Sequence, residues 1–160
     1  MIRGIHHVAI STSDLDRLVA FYRDVIGLTV LRQSEWSPGS ELIDAIVGLD
    51  GSSARTATLG AANAYLELFQ YRTPPGRPQD RDRPVADHGY THFCLDVVDI
   101  DAEYDRLVEA GMRFHCAPPP ASSLGSGALR STYGRDPDGN VIELQEILDD
   151  RYPLTLPQLA

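Results

Sequence analysis

Two histidines and two glutamates stand at matched places in the two halves of this 160-residue chain: His7 and His92 open strand-like runs, and Glu67 and Glu143 alternate with leucine or isoleucine in later ones. Two imidazoles and two carboxylates form a donor set suited to one divalent transition metal. An octahedral shell built on them leaves two positions for waters or for a substrate that chelates through two oxygens. Taken singly, each residue has a plainer reading, because strand histidines are usually packed or solvated and a glutamate alternating with leucine usually marks the wet side of a sheet. The pairing changes this. Four such groups gathered without an ion would leave carboxylates desolvated and unpaired, which is costly.

The elements that must position them follow from periodicity. Side chains alternate across a strand, so in Tyr65-Leu66-Glu67-Leu68-Phe69 the leucines face one way and Glu67 shares the other side with Tyr65 and Phe69. In Asn140-Val141-Ile142-Glu143-Leu144-Gln145, Ile142 and Leu144 form the core face and Glu143 points with Val141 and Gln145 to the opposite surface. The run from Ile5 to Asp16 matches that from Tyr90 to Asp101: in both, an Asp (Asp14, Asp99) lies seven residues after the histidine and is placed to cap a helix. The first helix is expected over about 15–25, with Leu15, Leu18, Val19 and Tyr22 on one face and Gly27 ending it. The second carries Ile100, Tyr104, Leu107 and Val108 at helical spacing and stops at Gly111.

Strands are expected over 28–36, 54–59 and 64–71, then 112–115, 128–135 and 141–147. That is βαβββ twice, an α+β chain of two tandem modules, at about 3–71 and 89–148. Turns at Ala61-Ala62-Asn63 and Asp136-Pro137-Asp138-Gly139-Asn140 precede the last strand of each. Residues 72–88, with Pro74, Pro75, Pro78 and Pro84, read as a linker, and 149–160 as a tail. The irregular stretch 117–127 is a candidate lid.

Composition narrows the class. A chain of this length is one ordinary domain, with enough apolar residues (42%) for a core. No window approaches a membrane span, and the first residues lack a secretory core. Two unpaired cysteines, Cys94 and Cys116, suit a reducing compartment, so the cytoplasm is expected. A net charge of −9 repels phosphate backbones, excluding nucleic acid and anionic membrane as partners.

Ile5-His6-His7-Val8-Ala9-Ile10, Phe21-Tyr22-Arg23-Asp24-Val25-Ile26-Gly27-Leu28, Gly89-Tyr90-Thr91-His92-Phe93 and Asp136 to Leu144 together resemble the vicinal oxygen chelate superfamily, the glyoxalase, bleomycin resistance and extradiol dioxygenase group. The resemblance implies that the βαβββ modules form an open mixed-sheet barrel around a metal. The ligands would be His7 rather than His6, then Glu67, His92 and Glu143, and the ion Ni, Co, Mn, Zn or Fe. It further implies a homodimer. The set is similar to that of glyoxalase I and of methylmalonyl-CoA epimerase. The first strand, however, has no arginine to grip glutathione, and Ala54-Arg55-Thr56-Ala57-Thr58-Leu59 has no second carboxylate base.

The resulting expectation is a lyase or isomerase of the glyoxalase type. A small substrate chelates through vicinal oxygens, an enolate or enediolate is stabilised, and Glu143 or Glu67 carries the proton. Tyr65, Phe69, Cys94, Arg130 and Tyr133 are the candidate pocket residues. Two alternatives stand beside this. One is an Fe(II) extradiol-type dioxygenase, which needs open positions for oxygen. The other is a non-catalytic drug-binding resistance protein, whose acidic surface would suit a cationic drug.

Overall fold

The structure, a computed structural model, describes residues 1–125 and 127–156, so Ser126 of the candidate lid and the last four residues of the tail lie outside it. The chain divides into two compact units, Met1–Pro78 and Gln79–Ala160. The first runs β1 (His7–Ser11), α1 (Leu15–Ala20), a π-helical turn (Phe21–Val25), β2 (Thr29–Trp36), α2 (Glu41–Val47), β3 (Ser53–Gly60) and β4 (Tyr65–Thr73). The second runs β5 (His92–Asp96), α3 (Ile100–Glu109), β6 (Arg113–Phe114), a 3-10 turn (Ala121–Ser123), β7 (Leu129–Arg135) and β8 (Val141–Ile147). Each unit holds one four-stranded mixed sheet, in order β1-β4-β3-β2 and β5-β8-β7-β6. In both, the first strand pairs parallel with the last and the other pairs are antiparallel. The α+β class and the repeated βαβββ order therefore hold.

In the first unit, Asp14 caps α1 by accepting from the Arg17 amide at 3.1 Å. Leu15, Leu18, Val19 and Tyr22 are buried with Ile10, Ala57, Leu59, Leu66 and Leu68, the inward residues of β1, β3 and β4. Each leucine, isoleucine or valine among them contributes about 1.5–3 kcal/mol on leaving water. The helix then widens into a π-helical turn through the Ile26 amide to the Phe21 carbonyl, a five-residue step, before Gly27 at φ 92 turns the chain into β2. The second unit repeats the plan: Asp99 accepts from the Ala102 amide, while Glu146 of β8 accepts from the Asp99 and Ile100 amides. Ile100 and Leu107 are buried with Met112, Val141, Ile142 and Leu144. Val108 shares their helical spacing but is 44% exposed, so the buried stripe of α3 is narrower than the periodicity suggested.

One element was not foreseen. Helix α2 sits between β2 and β3, capped by Ser40, whose hydroxyl accepts from the Ile43 amide, and closed by Gly48 at φ 68. It buries none of its residues, although Leu42, Ile43, Ile46 and Val47 recur at helical spacing. That stripe, with Ser40 before it and Gly48 after it, was the available signal.

The second half of the linker is structured against its own unit. The Arg135 guanidinium donates to the Arg83 carbonyl, and the Gln79 amide donates to the Asp138 carbonyl and the Asn140 side-chain oxygen. In the Asp136–Asn140 turn, the Asp136 carboxylate accepts from the Asp138 and Asn140 amides and from the Asn140 side chain. None of the described helices is long and apolar enough to cross a membrane.

Candidate functional site

In β4, register places Glu67 beside Thr58 of β3 and Ala9 of β1, and His7 beside Tyr65. Leu66 and Leu68 point to the helix, so Glu67 and His7 project from the opposite face of the sheet. The His7 Nε2 lies 3.4 Å from Glu67 Oε2. Its other nitrogen, Nδ1, meets His6 Nδ1 at 3.0 Å, and the Thr58 hydroxyl donates to Glu67 Oε1 at 3.4 Å. His6 itself is exposed at the rim, against the Tyr65 ring.

The second unit makes the same arrangement. Glu143 pairs with Cys94 and with Tyr133 in register, and the His92 Nε2 lies 3.1 Å from Glu143 Oε2. The His92 Nδ1 meets the Thr91 hydroxyl at 2.9 Å, and the Tyr133 phenol stands 3.5 Å from Nε2. In both units the residue before the histidine occupies Nδ1, which leaves Nε2 turned toward the carboxylate. Sequence reasoning missed this role for His6 and Thr91, although their place before each histidine was visible.

The pair separations bear on a metal. Two donors in neighbouring positions on one ion, with bonds of about 2.1 Å, stand about 3 Å apart. The separations of 3.4 and 3.1 Å match that edge. Among the described residues no group of three or more His, Cys, Asp or Glu is disposed to hold a metal ion. Each unit thus supplies one His–Glu pair, half of the set read from the sequence.

Of the other candidates, Tyr65 and Phe69 share the Glu67 face, and Cys94 and Tyr133 share that of Glu143. Cys94 is exposed, yet the protein around its Sγ, and then the charge of Glu143, push the thiol up to about 12. Burial, then the Glu143 charge, also raises the Tyr133 phenol, which stays a donor. Arg130 does not join them. Three residues before Tyr133 on one strand, it points to the other face, where it donates to Asp101 of α3 and to the carbonyls of Pro118 and Pro119.

Residues 4–144 match the family model of the Glyoxalase/Bleomycin resistance protein/Dioxygenase superfamily. A probable lactoylglutathione lyase from Synechocystis sp. is 29% identical over 138 residues, 86% of this chain and 91% of the relative. A glyoxalase family protein from Bacillus cereus superposes with a TM-score of 0.80 at 24% identity, covering 93% of this chain and 97% of that one. A mutant of the fosfomycin resistance protein FosX from Listeria monocytogenes, complexed with Mn(II) and 1S,2S-dihydroxypropylphosphonic acid, gives 0.61 at 18% identity over 93% and 94% of the two chains. With the matched span running from before β1 into β8, the chain belongs to the glyoxalase, bleomycin resistance and dioxygenase superfamily.

Proposed function

We propose that this chain is a metal-dependent lyase or isomerase of the glyoxalase type, with His7, Glu67, His92 and Glu143 as the ligands of one divalent cation. The observation that carries the reading is the repeated pair: in each unit a histidine Nε2 faces a glutamate oxygen at the spacing of neighbouring ligands, with Nδ1 held by the preceding residue. One pair from each unit completes an N2O2 set of the kind that nickel, cobalt, manganese, zinc or iron accepts. Bound there, the cation would supply a Lewis acid for a substrate carrying two vicinal oxygens.

The rest falls to the chain's own residues. Glu143 is the proton carrier in this reading: it is the more enclosed of the two carboxylates, its side chain 15% exposed against 31% for Glu67. Tyr133, kept protonated and 3.5 Å from the His92 ring nitrogen, is placed to donate to a substrate oxygen beside Glu143. The relative named as a lactoylglutathione lyase supports the lyase or isomerase chemistry over oxygen chemistry. We also keep the homodimer within the proposal, to be checked by sedimentation.

The test is elemental analysis of the purified protein beside His92→Ala and Glu143→Ala, each after reconstitution with Ni, Co, Mn, Zn and Fe(II). Near-stoichiometric metal in the parent, lost in both variants, is expected. A preference for Fe(II) with oxygen uptake would move the reading to the dioxygenase. No uptake under any condition would overturn the metal site and leave ligand sequestration as the function to assay.

A further inference from the structure

Along β4, Glu67, Phe69 and Tyr71 project from one face at successive alternate positions, about 7 Å apart. Register sets Thr56 beside Phe69 and Ala54 beside Tyr71, and on β2 sets Ser34 beside Thr56 and Trp36 beside Ala54. The face therefore changes character in rows, from the carboxylate of Glu67, through hydroxyls and Phe69, to an aromatic end made by Tyr71 and Trp36. The Phe69 and Tyr71 rings are stacked, 5.9 Å apart and inclined by 13°. Trp36 stands nearly perpendicular to both, at 72° and 85°, with centroids 6.4 and 5.9 Å away. The three rings form a right-angled corner.

Three features make this corner a receptor for an apolar planar group. The indole N–H is already used, donating at 3.0 Å to the Oγ of Ser52, which is fully buried, so the ring is fixed and offers its surface rather than its donor. The Ser34 and Thr56 hydroxyls bond each other at 2.9 Å and so satisfy themselves beside it. The fold does not require the rings: the second unit, built on the same plan, has Gln145 and Ile147 where the first has Phe69 and Tyr71.

We propose that the Trp36–Phe69–Tyr71 corner binds an aryl group at the far end of the small molecule whose oxygens are held beside Glu67, so that the substrate is an aryl-substituted compound with vicinal oxygens. The direction from head to tail rests on the chelation reading above; the corner's affinity for an aryl ring does not. Trp36 is the single tryptophan of the chain, so its emission reports the corner directly.

The experiment titrates 2-oxo-4-phenylbutanoate and 2-oxohexanoate, with the same head group and different tails, into Zn(II)-loaded and metal-free protein, followed by Trp36 fluorescence and calorimetry. Benzyl alcohol serves as an aryl probe without the head group. The aryl acid is expected to bind about tenfold more tightly than the alkyl acid, the combined worth of stacked and edge contacts. Phe69→Leu should erase that preference, and Trp36→Phe, followed by calorimetry, should keep it. Benzyl alcohol should shift Trp36 emission in metal-free protein and fail to do so in Phe69→Leu, with far-UV circular dichroism confirming that the variant is folded. Equal affinity for the two acids, or a preference that survives in Phe69→Leu, would overturn the proposal. So would a Trp36 shielded from acrylamide and unmoved by any probe, because the corner would then be covered by protein, whether a second copy or another part of the chain. Zn(II) that fails to strengthen either acid would instead defeat the chelation reading while the aryl preference stood.

Discussion

Gly139 and Gly27 form a matched pair for measuring what the docked linker contributes. Their backbones are alike, at φ 90 and 92, so alanine carries the same left-handed strain at either, about 1–2 kcal/mol. Their surroundings differ. A Cβ at Gly27 meets nothing within 4 Å, whereas one at Gly139 would come within 2.5 Å of both the Arg81 Cα and the Arg81 carbonyl oxygen. These are backbone atoms and cannot swing aside, so the clash adds about 1–3 kcal/mol on the scale of overpacked sites. For a chain of this size each kcal/mol lowers the Tm by about 2–4 °C, so Gly139→Ala should melt roughly 2–12 °C below Gly27→Ala. Thermal unfolding by far-UV circular dichroism, not by fluorescence, is the assay, because Trp36 lies in the other unit. Trypsin supplies a second readout. If the linker escapes the clash by lifting away, cleavage after Arg81 should accelerate in Gly139→Ala and not in Gly27→Ala. Equal melting points together with equal cleavage rates would refute the packing of residues 79–88 on the Asp136–Asn140 turn.

Other consequences are open to measurement. Thr91→Val removes the group holding the His92 Nδ1 and should weaken metal affinity about 10–100-fold, with Thr91→Ser restoring it, as read by competitive chelator titration. Arg130→Met should cost about 1–3 kcal/mol in urea unfolding through the orphaned Pro118 and Pro119 carbonyls, while metal stoichiometry stays unchanged, since Arg130 lies on the face away from Glu143. The Asp44 carboxyl is held below the usual carboxylate range, first by the Ser52 hydroxyl and then by the Ser52 and Gly51 amides. Because its folded pKa is depressed, its stabilising contribution is present above the unfolded value and is lost as pH falls through the lower, folded one. Asp44→Asn should flatten that acid limb, followed by the emission of Trp36, whose indole rests on Ser52.

The parts of the fold that could be read from sequence were those where one local rule spoke without competition. Asp14 and Asp99 announced their helices because an aspartate seven residues after a strand histidine has an obvious use as a cap, and Gly27 and Gly111 ended them. Glu67 and Glu143 were legible because leucine and isoleucine on either side fix the parity of the strand. Arg130 shows the limit. It was grouped with Tyr133, yet two residues three apart on a regular strand face opposite ways, and the polar pattern Leu-Arg-Ser-Thr-Tyr offered no apolar alternation to reveal which was which. The aromatic corner was less accessible still. It joins a residue of β2 to two of β4 through β3, and the register that brings strands so far apart in sequence side by side leaves no mark in composition.

The register shift in β2, between Val30 and Arg32, bears on how the chain behaves when crowded. β2 borders its sheet over eight residues, long enough to serve as a template on which a neighbouring chain could add a strand. The irregularity at Val30–Arg32 breaks the regular spacing of its outward amides and carbonyls, and Arg32 and Glu35 load the same strand with charge. The corresponding border of the second sheet solves the problem by brevity, since β6 is only two residues long. Deleting one residue at the bulge would straighten the longest border strand, and the first symptom would be turbidity at high protein concentration, before any change in the melting of the soluble fraction.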